Sequence, residues 1–275
     1  MTPDRPTLAG LGIRAEGVLL VHASLRRTGL PADTVVELLL DALGPKGTLV
    51  VPTFTAGNSD TSPAYRSRTR GMTARQRAAY RDALAPFDPL RTPSQGMGRL
   101  AEAVRGRADA VRSTHPQTSF AAVGVRAAEL MADHDDNCHL GERSPLGRLY
   151  AAEAHVLLLG VGYEVCTSFH LAEYRTDDAP TRQYGCAVLR EGERHWFTYE
   201  DVALYDGDFA DLGAAFEAQD VERAAPLIRH GRLGHAVARL LPVRAAVDFA
   251  TGWLPGRRPS RPATRQSQIA PVSLH

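Results

Sequence analysis

The chain has 275 residues, 44% of them hydrophobic and 23% charged, with a formal net charge of +1. That length supports a large buried core, and no apolar run approaches the roughly 18–20 residues that cross a bilayer. The charge balance, with no basic stripe interleaved with aromatics, excludes a nucleic-acid signature.

Met1 to Gly10 lacks the basic-then-apolar order of a secretory signal, so a cytoplasmic location is expected. Cys138, Cys166 and Cys186 are too few and too scattered for a disulfide framework or a cysteine-type zinc site. From Pro255 onward the chain carries Arg257, Arg258, Arg261 and Arg265 and no acid, which leaves the body near −3.

Short apolar runs alternate with amphipathic patterns, the mark of an α/β protein. Val18–Val21 reads as a buried strand, followed by a helix that Asp33 would cap and that carries Val36, Leu39, Leu40 and Leu43 up to Gly44-Pro45. Thr48–Val51 is the next strand, ahead of a polar loop from Pro52 to Pro63. A helix is expected near Thr73–Leu84, and Ser94 would cap another through Leu100 and Val104. Phe120–Val123 and His155–Leu159 read as central strands, beside helical patterns at Arg126–Ala132 and Pro145–Ala152. Cys166–Arg175 reads as a helix after the Gly160-Val-Gly162 turn, and 184–198 as a hairpin around Glu191-Gly192-Glu193. The region after Asp201 reads as mostly helical. A single domain is expected over residues 1–254, with a disordered basic tail over 255–275.

Among chemical candidates, His170 stands three residues before Glu173, on one face of the expected helix. A carboxylate there fixes the imidazole tautomer and raises the basicity of the free nitrogen, as a general base requires; a surface i,i+3 pair is the bland reading. His22 and Ser24 follow the first strand, where a hydroxyl and backbone amides suit a phosphate or a pantetheine amide; a capping serine is the alternative. Gly160-Val-Gly162 lacks the third glycine and the acidic partner of a dinucleotide site and reads as a tight turn. Asp133-His-Asp-Asp136, with His139 and Glu142, lacks metal-ligand spacing and reads as a solvated acidic loop. Its charge, with Glu164, Glu173, Asp177 and Asp178, and a second cluster at Asp206, Asp208 and Asp211, would attract a polycation. Asp208 could equally cap the helix near Phe209. Cys166, four residues from His170, raises a covalent route, against which stands the usual state of a small buried cysteine. No Gly-x-Ser-x-Gly elbow of an α/β hydrolase occurs.

Six segments in order carry a resemblance: Val21-His-Ala-Ser-Leu-Arg26, Gly47–Thr55, Phe87–Ser94, Arg112–Pro116 with Ser119-Phe120, Gly141–Leu146 and Thr167–Glu173. Together they resemble the aminoglycoside 3-N-acetyltransferase family, also called the antibiotic N-acetyltransferases, over about residues 8–254. The resemblance implies a three-layer α/β sandwich with a central mixed sheet, distinct from the GNAT superfamily. It implies a resistance activity: acetyl transfer from acetyl-CoA, without a metal, to the 3-amino group of a 2-deoxystreptamine ring. His170 matches the family's histidine, and Glu173 or Glu142 its orienting acid. His22, Ser24 and Leu25 would contact coenzyme A, with Thr53, Ser94, Gly98 and Ser119 as further cofactor contacts. Phe54, Asp206 and Asp208 would meet the polycationic aminoglycoside. No nucleic-acid or membrane partner is expected, and a homodimer is left open. The competing readings are the same chemistry on another amine of natural-product biosynthesis, a CoA-binding module without turnover, and a hydrolase.

Overall fold

The computed structural model describes residue 8 and residues 10–258. In chain order the first half runs β1 (Val18–Ala23), α1 (Ala32–Leu43), β2 (Thr48–Pro52), α2 (Pro63–Arg68), α3 (Ala74–Asp82), α4 (Gly98–Arg105), β3 (Val111–Arg112), β4 (Phe120–Gly124), α5 (Ala127–Met131) and α6 (Pro145–Ala151). The second half runs β5 (His155–Leu159), α7 (Phe169–Tyr174), β6 (Thr181–Arg190), β7 (Glu193–Val202), α8 (Phe209–Val221), β8 (Arg229–Leu233), β9 (Ala236–Pro242) and α9 (Val243–Trp253). Seven strands form one sheet in the order β3-β4-β2-β1-β5-β9-β8. β1 pairs in parallel with β2 and β5, whereas β4, β9 and the two edge strands run antiparallel, so the sheet is mixed.

The central strands are apolar on both faces because both faces are covered. Leu19, Val21, Leu49, Val51, Leu157 and Leu159 point to the layer holding α1 and α4. Leu20, Val50, Phe120, Val156 and Leu158 point to the opposite layer, built from α5 to α9. This alternation, with period two along each strand, makes the expected three-layer sandwich. β6 and β7 form a separate hairpin, seated on Asn58, whose side-chain amide donates to the Ala187 carbonyl and accepts from its N–H, and on Asp60, whose carboxylate accepts from the Gly185 N–H.

Several local expectations shift. Asp33 lies in the first turn of α1 rather than capping it, and α4 begins after Met97, so Ser94 is not its cap. α3 starts with a reciprocal capping box between Thr73 and Gln76. The helix read from Cys166 starts only at Phe169: residues 166–168 form a turn between α7 and a preceding 3-10 turn, Tyr163–Val165. The region after Asp201 contributes two strands to the sheet as well as helices: β9 covers the open edge of β5 and β8 extends the sheet beyond it. Of the tail expected to be disordered from residue 255, residues 255–258 are ordered against the body; residues 259–275 lie outside the described residues.

The loop read as solvated and acidic holds two buried histidines, His134 and His139, packed at a tilt against His115 with ring centroids 4.7 and 4.8 Å apart. His115 Nδ1 accepts from the backbone N–H groups of Gln117 and Thr118, and the His134 ring lies between the Ser113 hydroxyl and two carbonyls. Burial holds His115 well below the usual imidazole range and pushes His134 and the separately buried His22 down to about 3. These groups stay neutral when folded and protonate freely when unfolded. Their contribution is therefore complete above pH 6.5 and is lost as pH falls towards 3, at about 1.4 kcal/mol per pH unit for each group. The melting temperature measured by calorimetry is expected to drop steadily between pH 6 and 4; a flat profile over that window contradicts neutral burial.

Candidate active site

β1 is where the chain changes direction across the sheet. It passes through α1 to β2 on one side and returns later to β5 on the other. Loops leaving the C-terminal ends of β1 and β5 diverge there and open a crevice. A cleft of about 670 Å³ fills it, lined by residues 22–26, by Pro52 and Phe54, by residues 96–99, and by His170, Asp206 and Phe209 with the turn after β5. Gly160 closes that turn at φ +66, where an added Cβ would lie 2.5 Å from the Ser24 carbonyl oxygen. The Gly160-Val-Gly162 stretch is thus a tight turn, as its spacing implies.

His170 and Glu173 face each other across one turn of α7, with His170 Nδ1 2.6 Å from Glu173 Oε2. The Glu173 side chain is 3% exposed, and its other oxygen, Oε1, accepts from the Tyr205 N–H at 3.0 Å and from Arg258 Nη1. A carboxylate surrounded by donors is an acceptor only, so Nδ1 carries the hydrogen and Nε2 is the basic nitrogen left to the cleft. The ring packs against Phe209 with centroids 4.7 Å apart. His22, beside it, is 6% exposed and its Nε2 has no hydrogen-bond partner among the described residues. Burial first, and the neighbouring His170 second, depress its protonation to about 3, so His22 is a neutral imidazole.

The charged groups of the cleft divide by element. Arg26 and Arg99 come from the turn after β1 and the start of α4, which meet where Gly98 approaches the Ala23 carbonyl. Glu164 and Asp206 come from the 3-10 turn and the loop before α8, and α8 packs on that turn. Among the described residues neither arginine has an acidic partner. One cleft therefore offers cations to an anionic ligand and anions to a cationic one. Arg26 is visible in the sequence only as the end of the segment Val21–Arg26, and Arg99 carries no motif; an arginine in a glycine-flanked first turn is the one signal it offers.

Of the expected site residues, His22, Ser24, Leu25, Phe54, Gly98, His170 and Asp206 line the cleft, with Glu173 directly behind His170. Others do not. Glu142 is 56% exposed at its side chain and pairs with Arg175 at 2.6 Å, so the carboxylate on His170 is Glu173. Thr53 and Ser119 are fully buried and receive Arg112 Nε at 3.1 and 3.0 Å, and the Thr53 carbonyl takes a further bond from the same guanidinium. These two hydroxyls hold an internal arginine rather than a cofactor. Ser94 lies outside the lining, its amide donating to Glu102. The Asp208 carboxylate is taken up by Arg258 instead of facing the cleft. Cys166 is fully buried, its thiol pushed up to about 12, which is the inert state of a packed cysteine. Among the described residues no cluster of three His, Cys, Asp or Glu side chains is arranged to hold a metal ion.

A sequence model of the family described as aminoglycoside 3-N-acetyltransferase matches residues 20–255. Aminoglycoside N(3)-acetyltransferase VII of Streptomyces paromomycinus is 37% identical over 263 residues, covering 90% of this chain and 88% of its own. The crystal structure of the YokD protein from Bacillus subtilis superposes with a TM-score of 0.79 at 33% identity, over 89% of this chain and 94% of that one. A structure described as AAC-IIIb binary with CoASH superposes with a TM-score of 0.77 at 28% identity, over 92% and 96% of the two chains.

The reassignment of Ser119 is testable. Ser119→Ala removes one acceptor of a half-buried guanidinium and is expected to cost about 1–3 kcal/mol of stability, seen as a lower melting temperature. Ligand affinity in the cleft should stay at the wild-type level; the reverse pattern restores Ser119 to the cleft.

Proposed function

The chain belongs to the aminoglycoside 3-N-acetyltransferase family, and from that premise we propose that it moves the acetyl group of acetyl-CoA directly onto the 3-amino group of an aminoglycoside's 2-deoxystreptamine ring, with His170 as general base. The observation that carries this reading is the short His170 Nδ1–Glu173 Oε2 contact at the wall of a cleft bearing both signs of charge.

Acetyl-CoA supplies an acyl thioester. The residues fit its character: Arg26 and Arg99 answer phosphates, and Ser24, Leu25 and the start of α4 at Gly98 border the same part of the cleft. His22 offers a hydrogen bond from a neutral ring, an unmet one in the free protein. Glu164 and Asp206 suit the ammonium groups of the acceptor, beside Phe54.

An alkylammonium is no nucleophile until it loses a proton. The amine therefore reacts in its neutral form. As its nitrogen attacks the thioester carbonyl, His170 Nε2 takes the N–H proton and Glu173 stabilises the resulting imidazolium. Collapse of the tetrahedral adduct breaks the C–S bond, the coenzyme A thiolate leaving and taking that proton. Direct transfer needs no enzyme nucleophile, in keeping with the protonated, enclosed state of Cys166. Dependence on acetyl-CoA suits a cytoplasmic enzyme, and no described helix is long and apolar enough to cross a membrane.

Release of free thiol from acetyl-CoA, measured with and without an aminoglycoside panel, tests the reading. Release is expected only with an acceptor, and NMR of the product should place the acetyl group on the 3-amino nitrogen. Thiol release without an amine indicates a hydrolase, release only with unrelated amines removes the aminoglycoside acceptor, and no release indicates a binding module. His170→Ala is expected to lower kcat by about 10²–10⁴-fold; wild-type turnover in that variant would sink the base assignment.

A further inference from the structure

We propose that Arg258, a residue of the arginine-rich tail, is a positioning residue of the acetyl-transfer site: it holds the Glu173 carboxylate against His170 and ties down the loop that carries Asp206. The inference rests on the general-base reading of His170.

The chain passes the end of α9 and turns back, with the Arg258 N–H donating to the Leu254 carbonyl at 2.9 Å and Leu254 buried beneath. That return brings the Arg258 guanidinium under the site. Nη1 donates to Glu173 Oε1, Nε to Asp208 Oδ2 at 2.7 Å, and Nη2 to Asp208 Oδ1 and to the Tyr205 carbonyl at 2.7 Å. The same group lies 5.2 Å from the Tyr205 ring centroid and 5.9 Å from that of Phe209, which also packs against His170.

Three consequences follow from that placement. Glu173 is an enclosed carboxylate, and apart from Arg258 its contacts are one imidazole and one backbone amide. Without the guanidinium the carboxylate still faces His170, but nothing then fixes its Oε1 from the far side except one backbone amide, so its placement at Nδ1 loosens. Tyr205 is gripped from both sides, its N–H by Glu173 and its carbonyl by Arg258, so the position of Asp206 next to it depends on the pair. The forked, planar guanidinium reaches two carboxylates and a carbonyl at once, a pattern that a lysine ammonium cannot copy.

Removing this cation leaves more net negative charge around His170, so the imidazole holds its proton more tightly. In full-length Arg258→Ala, the His170 titration followed by NMR without ligands is expected to move to higher pH by about 0.5–1 unit. The acid limb of kcat/KM should move the same way, with turnover near neutral pH about tenfold lower and the deficit shrinking at higher pH. Added guanidinium should restore part of the loss. Arg258→Lys retains a cation beside Glu173 and should keep the wild-type limb while raising KM for the acceptor. An Arg258→Ala protein with unshifted His170 titration and an unshifted limb overturns the proposal. If that variant does not fold, Arg258→Lys decides, and wild-type kinetics in it throughout overturn the proposal. The NMR titration needs neither acetyl-CoA nor an acceptor, so its outcome is separate from whether the acceptor has been identified correctly.

Discussion

The site depends on one buried negative charge. Enclosing a carboxylate costs several kcal/mol unless donors replace the water it gives up. Glu173 obtains its donors from three separate stretches of chain: His170 on the same helix, the Tyr205 amide in the loop before α8, and Arg258 beyond α9. None of these can move without exposing the charge to an unsatisfied state. The carboxylate consequently fixes the imidazole's orientation and tautomer, and with them which nitrogen looks into the cleft. It also explains why α7, α8 and α9, distant in sequence, pack as one layer under the site: their apolar faces supply the burial, and the ionic contacts set the register between them.

The location of that layer follows from topology. Because β1 is flanked by parallel β2 and β5 reached in opposite directions, a gap between outgoing loops is unavoidable at its C-terminal end. What the chain places there decides its use. His22 and Ser24 arrive directly from β1, and Gly160 lets the turn from β5 approach the Ser24 carbonyl too closely for any side chain. α4 enters from the other side with Gly98 at φ +86 against the Ala23 carbonyl. Two glycines with left-handed backbone thus narrow the crevice to a cleft and aim Arg99 into it.

Much of this was legible in the residues, and what was not has a physical reason. Val18–Val21, Thr48–Val51 and His155–Leu159 declared themselves as strands because burial on both faces writes an unbroken apolar run. β8, Arg-His-Gly-Arg-Leu, is an edge strand with mostly solvated side chains and carries no such run, so the region read as helical. The His170–Glu173 pair was visible because it is local, set by the turn of one helix. Choosing Glu173 over Glu142 was not, since it depends on Arg175 claiming Glu142 from a surface that exists only once the chain is folded. Thr53 and Ser119 were misplaced for a similar reason. Hydroxyls near strand ends serve a ligand or an internal arginine equally well, and only the path of Arg112 tells which. Arg258 was hidden by its company: Pro, Arg and Ser around it read as tail, while its partners lie 50 and 85 positions away.

The two histidines of the cleft raise a final point of electrostatics. On the proposed general-base role of His170, a second proton beside it would repel both the incoming proton and the ammonium groups of a cationic acceptor. His22 avoids this. Its burial and its proximity to His170 both oppose charging, so His22 stays neutral beside the other imidazole. Glu173 holds the Nδ1 side of His170, whereas His22 Nε2 has no hydrogen-bond partner among the described residues. The unsatisfied Nε2 of His22, costly in the free protein, is then the by-product of keeping a hydrogen-bonding ring next to the base without letting it compete. One imidazole is wired to a carboxylate. The other is enclosed, its Nε2 without a partner among the described residues, and burial keeps it uncharged.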